Sequence, residues 1–446
     1  MTDSVLLAHA LAEQVAKAGG RTFFVGGCVR DKLRGTESKD VDVEVHGIPA
    51  KKLEELLAAL GEPTQMGKAF GVYGLKHCDL DIALPRREQA TGRGHRDFSV
   101  DTDPYLGIEK AARRRDFTVN ALMEDVLTGE IEDPFGGRRD LEAGVLRHVC
   151  RDSFPEDPLR VLRGAQFAAR FGFRVAEETV ALCKTMDLSA LPRERVLGEV
   201  CKALGKAERP SIFFEVLRHE EQLQIWFPEV QALIGVPQDP VHHPEGDVWN
   251  HTMGVLDGAA RLRDAAQKPE WLRMAALCHD FGKPETTRVE GARIRSIGHE
   301  EAGVPLAATF LERLGAPKEE KKYVENMVRL HMRPNALAGS NAGIKSTNKL
   351  FDESVCPEDL ILLANADRMG QGKPYGEEAA FLRARLESYR ETMAKPYVMG
   401  RDLAQMGFVP DSRFSQALAF AHKLRLAGIP KEEALKQTAV YLRKLK

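Results

Sequence analysis

The sequence predicts a multidomain chain of mixed class, α/β followed by all-α, with a small mixed sheet near its start and helices thereafter. Three observations carry that prediction. At 446 residues the chain exceeds one ordinary domain, so two to four are expected. Up to about residue 145, short β-rich runs alternate with helical stretches. From Pro155 onward nearly every segment has apolar residues at helical spacing, broken near Pro192, Pro210 and Pro228.

The elements follow in order. Residues 1–20 read as an amphipathic helix ending at Gly19-Gly20, and RTFFVGG is a short strand stopped by two glycines. CVRDKLRG is a helix closed by Gly35, VDVEVHGI alternates as a strand, PAKKLEELLAALG is helical, and VYGLKHCDLDIALP holds two further strands. Between Pro85 and Arg113 the chain turns polar and rich in Gly, Arg and Asp, the signature of a long functional loop. GVPQDPVHHPEGD is the best linker, a helical block follows to about 375, and MGRDLAQMGFVPDS to the end reads as a final pair of helices. The expected division is 1–145, 146–235, 236–375 and 376–446.

Composition narrows the function. Hydrophobic residues are 43% and charged residues 29%, ordinary for a globular protein. Net charge is −2, with a sequence pI of about 6.7, so any nucleic-acid surface is a local patch. Seven scattered cysteines without a C-x-x-C spacing read as reduced thiols of a cytoplasmic protein. The N-terminal run lacks a basic leader, and no apolar run reaches eighteen residues, so neither a signal peptide nor a membrane span is expected.

The first chemical constellation is a phosphate cradle beside paired carboxylates. Gly26-Gly27 lies between an apolar strand and a helix, where the backbone can approach a phosphate and Arg30 can add a charged fork. Asp40 and Asp42 are two apart on a strand and face one side; such a pair suits Mg²⁺ held together with substrate phosphates. Asp81, with Asp79 on the same face, is either a third carboxylate on a neighbouring strand or part of a solvated strand face.

FFVGGCVRDKLRG…KDVDVEV resembles the signature of DNA polymerase β-type nucleotidyltransferases, in the branch of class II CCA-adding enzymes and bacterial poly(A) polymerases. ARRRDFTVNAL, DPFGGRRDLEAGVLRHV and EDPLRVLRGAQFAARFGF are similar to later motifs of that family, in family order over roughly the first 230 residues. The resemblance implies a nucleotidyltransferase head, then a helical neck. It implies that Gly27 and Arg30 hold the triphosphate of CTP or ATP, that Asp40 and Asp42 carry Mg²⁺, and that Arg115, Asp116 and Asn120 contact sugar and phosphates. The run Arg113-Arg114-Arg115 can also be a solvated basic helix start.

In the third motif Asp157 accepts and Arg160 donates, with Arg163 one turn on. Cytosine and adenine share an amino donor beside a ring-nitrogen acceptor, while uracil and guanine reverse that order, so an Asp/Arg pair should take C and A. Asp157-Pro158 is equally a good helix cap. Gln166 departs from the family, standing where relatives carry a third arginine. In the family that this chain resembles, a flexible loop at this place helps the switch from C to A, and the loop at 86–112 looks full length, so the resemblance implies complete CCA addition.

A second constellation lies in the helical block. His251, His279-Asp280 and Asp367 sit on or at the ends of apparent helices, and imidazoles with carboxylates make a site for a divalent transition metal. The H…HD…D order, with Gly282-Lys283 after HD, resembles the HD phosphohydrolases. His299 and His331 are candidates for a second metal position, Lys283 for a phosphate contact or a solvated surface, and His242-His243 for plain linker. The fold class is then a polymerase β-type head, helical neck, helical HD domain and helical tail. The expected activity is addition of C, C and A to the 3′ end and acceptor stem of tRNA, with the HD domain hydrolysing phosphate esters at RNA ends. Competing readings are a CC-only or A-only enzyme, a poly(A) polymerase, an HD phosphohydrolase with a non-catalytic head, and an RNA-binding scaffold.

Overall fold

Alternation along one strand organises the first part of the chain. The computed structural model describes residues 3–36, 40–65, 72–90, 98–291, 293–373 and 376–445. It divides into two compact units, residues 1–203 with 212–226, and residues 204–211 with 227–446. The first unit carries strands β1 (Arg21–Val25), β2 (Val41–His46), β3 (Pro63–Gln65), β4 (Val72–Leu75), β5 (Leu80–Ala83), β6 (Arg86–Ala90), β7 (Phe98–Thr102), β8 (Met123–Asp125) and β9 (Ile131–Glu132). A mixed sheet runs β3-β4-β5-β2-β1-β8-β9, with β2 parallel to β5 and antiparallel to β1.

Successive side chains of a strand leave on opposite faces. Val41, Val43 and Val45 therefore enter one core with Ala8, Leu11 and Val15 of the helix Asp3–Lys17 and Leu53 and Leu57 of the helix Ala50–Leu60. Each such buried aliphatic contributes about 1.5–3 kcal/mol. Asp42, Glu44 and His46 consequently share the other face. Glu44 is 1% exposed, with His46 Nε2 at 2.9 Å, Arg114 Nη2 at 3.2 Å and Arg115 Nη2 at 3.6 Å from its oxygens. Burial alone would raise its carboxyl, but the His46 hydrogen bond and the Arg115 and Arg114 guanidiniums hold it down at about 2.

The stretch from Pro85 to Arg113 is not one long loop. β6 pairs antiparallel with β7, Arg86 opposite Thr102, and Ile108–Ala112 is a short helix; residues 91–97, the centre of the expected loop, lie outside the described residues. A second unforeseen hairpin joins Arg288–Glu290 to Arg293–Arg295 within the helical block. A two-stranded ribbon needs backbone pairing and no buried face, so polar sequence can form it without the alternation that marks a core strand.

Helices dominate thereafter. Prolines break them as the sequence indicates: Arg193–Lys206 follows Pro192, Ser211–His219 follows Pro210, and Pro228–Gln231 opens on its proline. In the second unit the helices Val248–Arg261 and Pro357–Gly370 cross at backbone contact, because a Cβ on Gly370 would lie 2.5 Å from Val255 Cγ2 and one on Gly258 3.1 Å from the Ala366 carbonyl. From Met399 on there are three helices and not a pair: Gly400–Gln405 precedes Arg413–Leu426 and Lys431–Lys444, packed through Leu403, Phe414, Ala417 and Leu442. No helix of the described residues is long and apolar enough to cross a membrane.

Because the folded-state pKa of Glu44 is depressed, its stabilisation is fully present above the ordinary glutamate pKa and is lost as pH falls towards about 2. Glu44→Gln is expected to lower unfolding free energy by about 2–3 kcal/mol at neutral pH. In urea unfolding, the gap between wild type and variant should shrink steadily below about pH 4.5; a gap unchanged at pH 3 would contradict this account.

Candidate functional site

The register of β2 against β5 makes Asp42 and Asp81 direct partners, both on the face opposite the core. Asp40 stands one residue before β2, exposed. Burial and the neighbouring Asp81 push the Asp42 carboxyl up, Arg115 pulls it down, and Asp40 raises it again. A carboxylate raised by two neighbouring carboxylates suits a divalent cation with oxygen ligands. Beside them, Gly26 caps the helix Gly27–Leu33 with φ 72°, and a Cβ there would sit 3.1 Å from Arg115 Nη1 and 3.9 Å from Asp42 Oδ2. Only a glycine accommodates both the left-handed backbone and that approach.

Arg30 points inward. It is 4% exposed, its Nε donates to Asp31 Oδ1 at 2.9 Å, and its Nη1 donates to Asn120 Oδ1 at 2.6 Å, with the guanidinium over the Phe171 ring at 4.5 Å. Asn120 Nδ2 in turn donates to Asp116 Oδ1 at 2.9 Å, and Asp116 Oδ2 receives Arg163 Nε at 2.8 Å. Burial would raise the Asp116 carboxyl, yet Arg163 and Asn120 lower it below the usual range. Arg30, Asn120, Asp116 and Arg163 thus form one buried chain from the glycine turn to the helix Leu159–Phe171. The arginine run divides: Arg114 and Arg115 engage Glu44, whereas Arg113 remains largely exposed with Asp152 at 3.7 Å.

Asp157 and Arg160 are not in mutual contact in this structure. Asp157 Oδ2 lies 3.1 Å from Arg195 Nη2, and Asp157 Oδ1 accepts the Leu159 N–H at 3.2 Å; the helix itself begins one residue later than the sequence indicates, with Pro158 and not Asp157 in the capping position. Arg160 donates to the carbonyls of Ser153 at 2.7 Å and Arg114 at 2.6 Å. Gln166 is 2% exposed, and its Nε2 has no hydrogen-bond partner among the described residues.

In the second unit four imidazoles converge on Asp280. His251 and His279 bring their Nε2 atoms 3.3 Å apart, with His251 Nε2 3.1 Å from Asp367 Oδ1 and His279 Nε2 3.2 Å from Asp280 Oδ2. On the other oxygen, His299 Nε2 is 3.3 Å and His331 Nε2 3.9 Å from Asp280 Oδ1, and those two nitrogens are 3.2 Å apart. The Nδ1 atoms point away, to the carbonyls of Ala276, Ser296 and Val328 at 2.7 Å each and, for His251, to Glu245 Oε1 at 2.7 Å. A carbonyl can only accept, so each of those Nδ1 atoms carries the proton and turns a bare Nε2 lone pair inward. The lone pairs of His299 and His331, facing at 3.2 Å, repel without a cation between them.

The donor set therefore fits two divalent ions, one with His251, His279 and Asp367 and one with His299 and His331, with Asp280 shared. Burial would lower His251, but the hydrogen bonds it donates to Asp367 and Glu245 and the charges of Asp367 and Asp280 raise it to about 9, so a proton is drawn to where a cation fits. Lys283 Nζ lies 2.7 Å from Asp280 Oδ2 and donates to Gln238 Oε1 at 2.7 Å, so it is held in the site and not solvated. A cavity of about 560 Å³ opens onto these groups, lined also by His242, His243, Arg295 and Lys373.

Sequence reading missed Glu44, Arg195, Glu245 and His243. Glu44 carries the same period as Asp42, and Glu245 stands six residues before His251, so both left a signal. The segment read as linker brings His243 Nδ1 to 2.9 Å from Glu245 Oε1. Arg195 left none, since it meets Asp157 from a helix 38 residues away.

Comparison with known proteins is consistent with this geometry. The model for the poly A polymerase head domain matches residues 22–147 and that for the HD domain residues 248–370. The Multifunctional CCA protein of Nitrosococcus oceani is 38% identical over 84% of this chain and 92% of its own length. That of Xanthomonas campestris pv. campestris is 37% identical over 94% of this chain and 100% of its own. The fold resembles the Thermotoga maritima CCA-adding enzyme complexed with tRNA, with TM-score 0.65 and 19% identity over 99% of this chain and 96% of that one.

Two outcomes are expected at the histidine cluster. Metal competes with the proton on His251, so affinity for added Mn²⁺ or Zn²⁺ should rise with pH up to about 9, with proton release seen by titration calorimetry in buffers of different ionisation enthalpy. Gly282→Ala would put a Cβ 2.1 Å from the His299 carbonyl and 2.7 Å from the Gly303 nitrogen. Displacing His299 should lower the bound metal per chain measured by mass spectrometry of purified protein; full metal content would refute the assignment of His299.

Proposed function

The chain belongs to the family of multifunctional CCA proteins and adds C, C and A to the 3′ end of tRNA from CTP and ATP; we propose that it does so at Asp40, Asp42 and Asp81, and that its HD centre hydrolyses phosphate esters at RNA ends. The observation that carries the first assignment is the pairing of Asp42 with Asp81 beside the Gly26-Gly27 turn. Mg²⁺ bound there would neutralise the triphosphate and favour attack of the RNA 3′-hydroxyl on the α-phosphorus. Gly26 and Gly27 let the backbone approach the phosphates, and Arg115 presents a guanidinium at that turn. Arg30, Asn120 and Asp116 hold the turn against the helix that carries Arg163.

Choice of base falls to Asp157 and Arg160, an acceptor and a donor near one helix start, with Arg195 orienting the Asp157 carboxylate. For the HD centre, the supporting observation is the convergence of four imidazoles and two carboxylates on one cavity. A divalent transition metal pair would there activate water for attack on phosphorus. Lys283, buried at the same carboxylate, would meet the substrate phosphate, and His242 and His243 line its approach. The seven free thiols fit a reducing cytoplasm.

The test is purified full-length protein with Mg²⁺ and labelled tRNA lacking its last three nucleotides. Growth by three with CTP plus ATP, and none with UTP or GTP, is expected. Growth by two, growth only from a CC end, or long A tails would replace the reading with a CC-adding, A-adding or poly(A) enzyme. Asp42→Asn should lower addition by more than about 100-fold, beyond the loss of an outer-shell partner. Asp157→Ala should reduce discrimination of CTP over UTP by about 10–100-fold while metal dependence is unchanged.

A further inference from the structure

A second cavity in the second unit, about 340 Å³ in volume, has no part in either centre described above. It lies at the N-terminal end of the helix Pro269–Cys278 and is lined by the cations Arg263, Lys268 and Arg273, the carboxylates Asp264 and Glu270, and Trp271, with Gly205 at its edge. Arg273 stands out within it. It is 1% exposed, and its Nε and Nη1 have no hydrogen-bond partner among the described residues. Burial and the nearby charge of Arg263 depress its pKa, with only partial offset from Glu270 and Asp264.

The surroundings are built and not loose. Asp359, itself fully buried, accepts the backbone N–H groups of Gln267 at 2.8 Å and Lys268 at 3.0 Å and the Tyr323 hydroxyl at 2.8 Å, fixing the start of the helix. Pro269 occupies the first helical position and has no N–H to offer, so Glu270 and Trp271 supply first-turn N–H groups that lack acceptors within an α-helix. A Cβ on Gly205 would sit 2.6 Å from Glu270 Oε1, so the glycine is what leaves the acid room at the cavity edge. Lys268 is held by Glu320 at 2.9 Å, which leaves a helix N-terminus, Arg263 and a buried guanidinium whose Nε and Nη1 lack acceptors; these share one ligand chemistry, an oxyanion with several acceptor oxygens.

We propose that this cavity binds a phosphate group, with Arg273 as its anchor and the first turn of the helix Pro269–Cys278 as its second donor set. The group comes either from an RNA backbone or as free inorganic phosphate. Neither source depends on the assignment of the nucleotidyltransferase or HD centres. Arg273 lies on the helix that leads into His279, so an occupied cavity also stiffens the support of the histidine cluster.

The experiment uses the full chain, as wild type, Arg273→Met and Arg273→Lys. Melting is followed in sodium phosphate against sodium chloride of equal ionic strength. Without phosphate, Arg273→Met should melt no lower than wild type, since it removes a buried charge whose Nε and Nη1 have no hydrogen-bond acceptor. Saturating phosphate should raise the wild-type midpoint by about 2–4 °C more than that of Arg273→Met, with Arg273→Lys between them. If the group belongs to RNA, the dependence of tRNA affinity on salt should in addition become shallower by about one phosphate contact in Arg273→Met. A phosphate response without a change of salt slope assigns the site to the free ion. Equal phosphate gains and equal salt slopes in all three proteins overturn the proposal, as they would if Arg273 simply turned to Glu270 in solution. Should Arg273→Met fail to fold, Arg273→Lys against wild type decides by the same two readings.

Discussion

Both units hold together groups that repel one another, and the rest of each unit serves that constraint. Asp42 and Asp81 sit side by side because parallel strands pair in register. The bare nitrogens of His299 and His331 face at 3.2 Å because their other nitrogens are tied down. Repulsion of this kind has to be opposed by packing that leaves no path of relaxation. In the first unit the valine face of β2 supplies it. In the second it comes from helices touching backbone to backbone at Gly254, Gly258 and Gly370. A cation removes the repulsion, so metal affinity and fold stability are two expressions of one arrangement.

The same logic explains why several conspicuous arginines do not face solvent. Arg30 stacks on Phe171 and joins Asn120, Asp116 and Arg163 in a single hydrogen-bonded chain. Arg160 holds two carbonyls, one from Ser153 and one from Arg114. These side chains tie the glycine turn, the segment Arg115–Asn120 and the helix Leu159–Phe171 together within the first unit. A change at Arg163 is thereby felt at Gly27, although the two never touch. Arg114 and Arg115 do the same work on Glu44, anchoring the strand that carries Asp42.

Much of this was legible in the order of residues. The period-two pattern of VDVEVH placed Asp42 on the face away from the valines, and the paired glycines marked the turn. Prolines marked the helix starts, and the HD pair with its flanking histidines marked the second centre. What failed were the polar hairpins at 86–102 and 288–295, where strand pairing leaves no trace in hydrophobic periodicity. The segment 235–247 also misled, because Pro, Gly and His composition describes a spacer and an active-site edge equally well.

By itself, then, the sequence determined which faces are apolar, where helices begin, and which residue types could hold phosphate or metal, since each of these follows from local spacing and side-chain chemistry. Tertiary structure alone decided the partners. Asp81 became the neighbour of Asp42 through β-pairing, and Arg195 became the neighbour of Asp157 from a distant helix. Arg30 turned inward to Asn120, and Arg273 was buried without an acceptor at the head of its helix. Such pairings depend on how separate segments pack, and packing sums many weak contacts that no short stretch of sequence contains.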